Sequence, residues 1–434
     1  MYGPNTGELF HMKEHIPRYA DTWLVEMLSY LKAIMIDGAK GVGKTQTAEL
    51  FANTVLQLDK KNVRESLEAE YERLYEYIPP ILLDEWQHLP EVWDRVRRMV
   101  DDNIDEGSII LTGSQQSKNL SLHSGAGRIV RFRMRPLSLA ERFQQPDRIR
   151  LKDCFSGKVP DNPWIKTTVT FTHYMQEVTR SGFPAIYNAH EKIRPALLDS
   201  YIENIVTRDF VAQGIQLRQP DTLIRWLRAY AAATGTTTSY NKMLDAATPG
   251  EDTKPSKPTT ISYREALRSL WLIDDLPCWG EGEDFLGRLK QTPKHFLADP
   301  GLEARLLGLT TDDLLLGNAS TPHDPSYGSI AGRLFESLCT MSVRTYAASL
   351  GARASYLRTA NGSREIDLIV EKDRGLVIIE TKMGATINNE DVRHLNWFEE
   401  RVGDRVKEKI VLTTGDQTYR RKDRVLVVPA ALFG

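Results

Sequence analysis

The octapeptide GAKGVGKT, Gly38 to Thr45, places glycines around a four-residue gap and follows them with lysine and threonine. Glycines let the backbone curl so that its N–H groups surround phosphate oxygens at the N-terminus of a following helix, where the helix dipole also favours negative charge. Lys44 then reaches the β and γ phosphates of a nucleotide, and Thr45 offers its hydroxyl to Mg²⁺. The candidate ATP contacts are therefore Gly38, Ala39, Lys40, Gly41, Val42, Gly43, Lys44, Thr45 and Gln46. Downstream, ILLDEWQ ends an apolar run in Asp84, suited to hold Mg²⁺ through water, and Glu85, suited to orient and activate an attacking water. SIILTGS ends in Thr112 and Ser114, either a sensor of the γ-phosphate or a plain Ser/Thr/Gly turn.

A second acidic constellation lies in EIDLIVEKDRGLVIIETK, Glu365 to Lys382. With Lys372 to Gly375 as a four-residue hairpin loop, Glu371 pairs with Leu376, Asp367 falls opposite Glu380, and Glu365 falls opposite Lys382. Ile366, Leu368 and Val370 then share an apolar face with Val377 and Ile379, while the charged residues gather at one end of the other face. Facing carboxylates, with Cβ atoms about 4.5–5.5 Å apart, repel one another. A divalent cation such as Mg²⁺ would offset that repulsion, and so would Lys382 acting alone in a surface charge cluster.

These residues need elements to hold them. An apolar strand at Ala33 to Ile36, the glycine loop and a helix over TQTAELFANTVLQL form a strand, loop and helix unit, preceded by a helix over 22–32. Strands at Ile81 to Leu83 and Ile109 to Leu111, with the helical EVWDRVRRMVDDNI between them, predict a parallel α/β sheet for residues 1–190. In RIVRFRMR, Arg131, Arg133 and Arg135 alternate with Val130, Phe132 and Met134, which gives one cationic strand face. That face is either edge protection or a contact for phosphates, and Arg128 is the first candidate for an arginine finger. Residues 191–322 read as mainly helical. In 323–434 a long helix, from about Ile330 to Leu350, precedes strands.

The bulk numbers exclude several classes. The 434 residues carry 58 acidic and 56 basic side chains, net -2, so any polyanionic partner must be met by a local patch. Cys154, Cys278 and Cys339 are too far apart in sequence for a disulfide framework or a paired-cysteine metal site, which suits a reducing cytoplasm. No apolar run approaches the roughly 20 residues of a membrane helix. His11 and His15 have helical spacing, but Met12 stands where a zinc-protease motif needs glutamate.

GAKGVGKT, ILLDEWQ, ILTGS, GRIVRFRMRPLSLAE, SGFPAIY, PKHFLADPGL and GRLFESL resemble prokaryotic AAA-family ATPases that carry a C-terminal domain of unknown function with a restriction-endonuclease-like fold. The resemblance implies a P-loop NTPase sheet, then a helical or winged-helix segment, then a nuclease-like α/β domain. It implies ATP and Mg²⁺ as cofactors, catalysis by Glu85 in the first domain, and a D…ExK site of Asp367, Glu380 and Lys382 in the last. There the carboxylates, with Glu336 completing the set, would bind Mg²⁺, and the lysine would position or polarise water. DNA or RNA would be the partner, with Lys254, Lys257, Arg264 and Arg268 as phosphate contacts or simply a solvated face. A homo-oligomer stays open, because ring-forming relatives supply the finger in trans.

Overall fold

The computed structural model describes residues 15–115, 127–214, 220–246, 257–280, 292–319, 325–359 and 362–434. Strands β1 (Ala33–Asp37), β2 (Thr54–Gln57), β3 (Ile81–Asp84), β4 (Ile109–Gly113) and β5 (Ile129–Arg133) form a parallel sheet in the order β2-β3-β4-β1-β5. β1, β3 and β4 are buried along their whole length, which is why they read as unbroken apolar runs. Register puts Asp37 level with Gly113 and Arg133, and Leu83 level with Leu111, so the motif residues emerge at one carboxyl edge of the sheet. Ligands of open α/β sheets bind at that edge.

The first helix spans Tyr19–Met27, earlier than the apolar pattern suggests, because Asp21 accepts a hydrogen bond from the Arg18 N–H (2.7 Å) at its start. TQTAELFANTVLQL is not one helix. The loop helix ends with Lys44–Glu49, and Thr54–Gln57 becomes the edge strand β2. Hydrogen bonds from Asn53 N–H (2.9 Å) and Thr54 N–H (3.3 Å) to the Pro80 carbonyl pull the chain out of the helix.

The middle segment contains helices Pro220–Ala232, Tyr240–Ala246 and Lys257–Ser269. An antiparallel pairing of Ile273 with Leu297 and Leu276 with Lys294 follows them. This segment covers one face of the first sheet, where Trp226, Leu227, Tyr230 and Leu267 share a core with Ile34, Ile36, Leu82 and Phe132.

The last unit has a mixed sheet of β6 (Arg353–Arg358), β7 (Glu365–Lys372), β8 (Gly375–Lys382), β9 (Val406–Thr413), β10 (Tyr419–Arg420) and β11 (Leu426–Pro429), in the order β10-β11-β9-β8-β7-β6. The long helix Pro325–Ser349 packs on one face and the crossover helix Asn389–Val402 on the other. The β7–β8 hairpin has the predicted register, Glu371 against Leu376, but it turns through two residues rather than four. Asp373 (φ 49°) and Arg374 (φ 70°) take the left-handed conformations that match the twist of a tight hairpin.

The expected single apolar face is a correction. Leu368, Val370, Val377 and Ile379 face the long helix, whereas Ile366, Ile369, Leu376 and Ile378 face the crossover helix. Between Ser355↔Ile369 and Leu357↔Ile366, β7 carries one residue more than β6, a bulge that moves Ile366 to the opposite side. Packing also crosses the expected division at residue 190. Leu139, Tyr174, Met175 and Val178 belong to the core of the last sheet, and the Tyr174 hydroxyl accepts from the Ala431 N–H (2.9 Å).

Candidate functional site

At the carboxyl edge of the first sheet, Gly38 lies so close to β5 that a Cβ there would sit 2.3 Å from the Met134 carbonyl oxygen. Gly43 (φ 99°) caps the loop helix in a left-handed conformation. Lys44, buried, donates to the carbonyls of Gly38 and Ala39, both at 3.0 Å, across the mouth of the loop. Burial pushes its ammonium down to about 8, against the pull of Glu85, Asp37 and Asp84. The Thr45 hydroxyl donates to Asp84 Oδ1 at 2.7 Å, and Thr112 donates to the same oxygen at 2.5 Å. Burial also raises the Asp84 carboxyl, opposed by those two hydrogen bonds.

Glu85 follows in a left-handed conformation (φ 54°) that costs a non-glycine residue roughly 1–3 kcal/mol. The Thr112 hydroxyl holds it by accepting from the Glu85 N–H (3.1 Å). Ser114 donates to Glu85 Oε1 at 2.5 Å, and Gln87 donates to Oε2. Thr112 and Ser114 therefore anchor the acid pair. Lys40 is exposed, and Gln46 sits half-buried on the loop helix.

Sequence reasoning missed the supports. Buried Arg18 donates to the Val42 carbonyl (2.8 Å), the Arg135 carbonyl (2.7 Å) and Glu141 Oε1 (3.1 Å), tying the loop to the segment after β5. Asp37, at the foot of the loop, is pushed up to about 6 by burial although Arg131, Lys44 and Arg133 oppose the shift.

The arginines find partners within the chain. Arg128 stands at the amino end of β5, one strand length (roughly 15 Å) from the phosphate loop, and pairs there with Asp101 at 2.6 Å. It is not brought to the loop of its own chain. Arg133 and Arg135 turn to a partner within the chain. With Arg344 of the long helix they converge on buried Asp274, at 2.8, 2.7 and 2.9 Å. Arg131 lies over the Trp93 ring. In the middle segment Arg268 pairs with Asp275 and Glu265, and Arg264 lies over Tyr240, so both work within the chain. Lys254 falls outside the described residues.

The acidic end of the β7–β8 hairpin meets a residue that the sequence did not single out. Lys294, 1% exposed, places Nζ 2.6 Å from Glu336 Oε1, 2.8 Å from Glu365 Oε1 and 3.1 Å from Asp367 Oδ1. Burial works against its charge, but Glu336, Asp367 and Glu365 outweigh burial and hold its pKa well above the ordinary lysine value. Asp367 Oδ2 accepts from the Thr381 N–H (3.0 Å) and hydroxyl (2.8 Å). Ladder pairing stops at Leu368↔Ile379, short of the expected Asp367↔Glu380 pair. Lys382 bonds Glu380 Oε1 at 3.0 Å, while Glu365 goes to Lys294 rather than to Lys382. Burial and the charge of Asp367 raise Glu380 to about 8. Among the described residues, no group of three His, Cys, Asp or Glu side chains is arranged to hold a metal ion. The ammonium of Lys294 bridges one oxygen each of Glu336, Glu365 and Asp367.

Three family models match separate parts of the chain. Residues 31–143 match the model of an AAA domain, 172–313 match a domain of unknown function (DUF8612), and 331–433 match another (DUF4143). No curated protein matches the chain. Among solved structures, the Walker-type ATPase PABY2304 of Pyrococcus abyssi is 15% identical, with a TM-score of 0.39 over 68% of this chain and 97% of its own. Protein VC1899 from Vibrio cholerae is 10% identical, with a TM-score of 0.16 over 88% of each chain. No helix among the described residues is long and apolar enough to cross a membrane. Residues 31–143 thus combine a parallel sheet, a glycine loop at its carboxyl edge and a match to an AAA domain model, which supports a P-loop ATPase.

Proposed function

We propose that the chain is an ATP hydrolase working as a nucleotide-dependent switch, with its C-terminal unit as the module that meets a partner. The observation that carries this is the convergence of Lys44, Thr45, Asp84 and Glu85 at one carboxyl edge. Loop N–H groups would take the phosphates, and Lys44 would exchange the Gly38 and Ala39 carbonyls for phosphate oxygens. The adjoining hydroxyl of Thr45 and carboxylate of Asp84 are hard oxygen donors that suit Mg²⁺. Bound there, the ion would neutralise charge on the phosphates. Each Glu85 oxygen already accepts one hydrogen bond and keeps a lone pair for water, so Glu85 would orient the attacking water and accept its proton. Glu85→Gln should bind ATP as the wild type does and hydrolyse it at least about 10²-fold more slowly. Undiminished turnover would place the base elsewhere.

For the C-terminal unit, the hairpin, crossover helix and parallel β9 suit the restriction-endonuclease-like fold, and Asp367, Glu380 and Lys382 keep the D…ExK pattern. The module reading is favoured over Mg²⁺-dependent phosphodiester cleavage because the Lys294 ammonium sits among Glu336, Glu365 and Asp367. DNA or RNA as the bound partner, a cytoplasmic setting and self-assembly complete the reading. Labelled single- and double-stranded DNA and RNA, incubated with Mg²⁺ or Mn²⁺, should be bound without being cut. Cleavage that disappears in Lys382→Ala would reverse the choice in favour of the nuclease.

A further inference from the structure

We propose that Lys294 is the resident cation of the C-terminal carboxylate cluster, a plug inserted from the middle segment, so that its ammonium and a divalent metal ion exclude one another at Asp367. The inference rests on the module reading above and gives it a physical cause. An ammonium has three N–H donors, and Lys294 has three carboxylate oxygens, of Glu336, Glu365 and Asp367, within 3.1 Å. Glu336 and Asp367 are buried and need a compensating positive charge, and at this cluster Lys294 supplies one. The donor set is not exhausted. Glu380 is 8% exposed, its Oε2 is buried with no hydrogen-bond partner, and Lys382 reaches only its Oε1. A cation that entered would find a carboxylate oxygen ready to be used.

The plug is foreign to the unit it closes. Lys294 belongs to the strand-like segment paired with Leu276, through hydrogen bonds of 2.9 and 3.0 Å. The Leu276 segment in turn joins the edge of β6, where the Trp279 N–H donates to the Tyr356 carbonyl (2.6 Å) and the Tyr356 N–H donates to the Pro277 carbonyl (3.0 Å). The Tyr356 hydroxyl donates to the Thr292 carbonyl (2.6 Å), which fixes the stretch just before Lys294. On the other side the Asp274 N–H donates to the Phe296 carbonyl (2.9 Å), and Asp274 is gripped by Arg133 and Arg135 beside the phosphate loop. The lysine thus sits on a segment fastened both to the acidic sheet and to the ATPase domain. Withdrawing that segment would remove the positive charge from the cluster while leaving its carboxylates in place.

The test is a Mn²⁺ titration of the full chain without nucleotide, followed by the electron paramagnetic resonance signal of free Mn²⁺. Wild type, Asp367→Asn, Lys294→Met and the double variant Lys294→Met/Asp367→Asn are compared. Lys294→Met is expected to gain a Mn²⁺ site at least tenfold tighter than anything in the wild type, and the double variant to lose it. A Lys294→Met chain that binds Mn²⁺ no better than the wild type overturns the proposal. If that variant does not fold, the wild type and Asp367→Asn decide: equal Mn²⁺ binding upholds the plug, and a wild-type site abolished by Asp367→Asn overturns it. These readouts involve neither ATP nor nucleic acid, so failure of the plug is distinguishable from failure of the switch reading, which the Glu85→Gln and cleavage assays decide.

Discussion

Replacing Asp274 by asparagine keeps the shape of the side chain and removes the charge on which Arg133, Arg135 and Arg344 converge. The aspartate is 4% exposed, and its contacts are 2.8, 2.7 and 2.9 Å long. A single pair of charges about 4 Å apart attracts by roughly 4 kcal/mol at an effective dielectric constant near 20. Dehydration of the ions and repulsion among the guanidinium groups offset much of the combined attraction. What remains is the cost of leaving buried cations without their counter-ion, about 3–5 kcal/mol. Urea unfolding followed by tryptophan fluorescence is a direct assay, because Trp271 lies under the Arg133 guanidinium at 4.7 Å. The effect should also depend on pH in a defined direction. Burial alone would raise the Asp274 carboxyl, but Arg133, Arg135 and Arg344 reverse this and hold it far below the usual carboxylate range. Its contribution is therefore complete above the unfolded value of about 4 and is lost as pH falls toward the folded one. The gap between wild type and variant should be constant from about pH 5 to 8 and narrow below about pH 4. A variant within about 1 kcal/mol of the wild type at neutral pH would refute the clamp.

Two further outcomes concern the phosphate loop. Lys44 must be charged to hold phosphate and is pushed down to about 8 in the free chain, so ATP affinity should fall as pH rises through that value. The decline is at most about tenfold per pH unit, while the nucleotide-free chain gains stability over the same rise because the unfolded state binds more protons there. A flat affinity profile, measured with a fluorescent ATP analogue, would contradict this. Gly38→Ala would press a Cβ to 2.3 Å from the Met134 carbonyl oxygen, a backbone atom that cannot rotate away. The expected cost is about 1–3 kcal/mol, seen as a lower melting temperature together with weaker ATP binding; no change in either would rule out the close approach.

The parts of the molecule written in adjacent residues were legible before any coordinates. The glycine loop is read correctly because its strand, turn and helix follow one another directly, and the β7–β8 register because alternation and the KDRG turn lie within the segment itself. What was missed depends on distant parts of the chain. Lys294 meets Glu336 at a separation of 42 residues and Asp367 at 73, and no periodicity links them. The alternation in RIVRFRMR places Phe132 and Met134 in the core, but Val130 stays exposed and the partner of buried Arg135, Asp274, lies 139 residues further on. A run of arginines looks the same whether it awaits a phosphate or a buried aspartate. Strand β2 was hidden because a short edge strand after a helix needs only the Pro80 carbonyl to divert it.

The sharing of one core between residues near 139–178 and the last sheet has a consequence for how such a chain can be cut or inherited. Leu139 and Ala140 donate their N–H groups to the hydroxyls of Ser342 and Tyr346, both at 3.0 Å, and Ile149 exchanges backbone hydrogen bonds with Leu432 and Gly434. A graft that moved the last unit alone into another protein would leave behind part of its own packing and bare the Leu338, Phe335 and Tyr346 surface to water, the kind of contiguous apolar patch that drives aggregation. The smallest transplantable piece must bring the Leu139–Val178 segment with it, so the natural joints of the molecule are not the ones its linear order suggests.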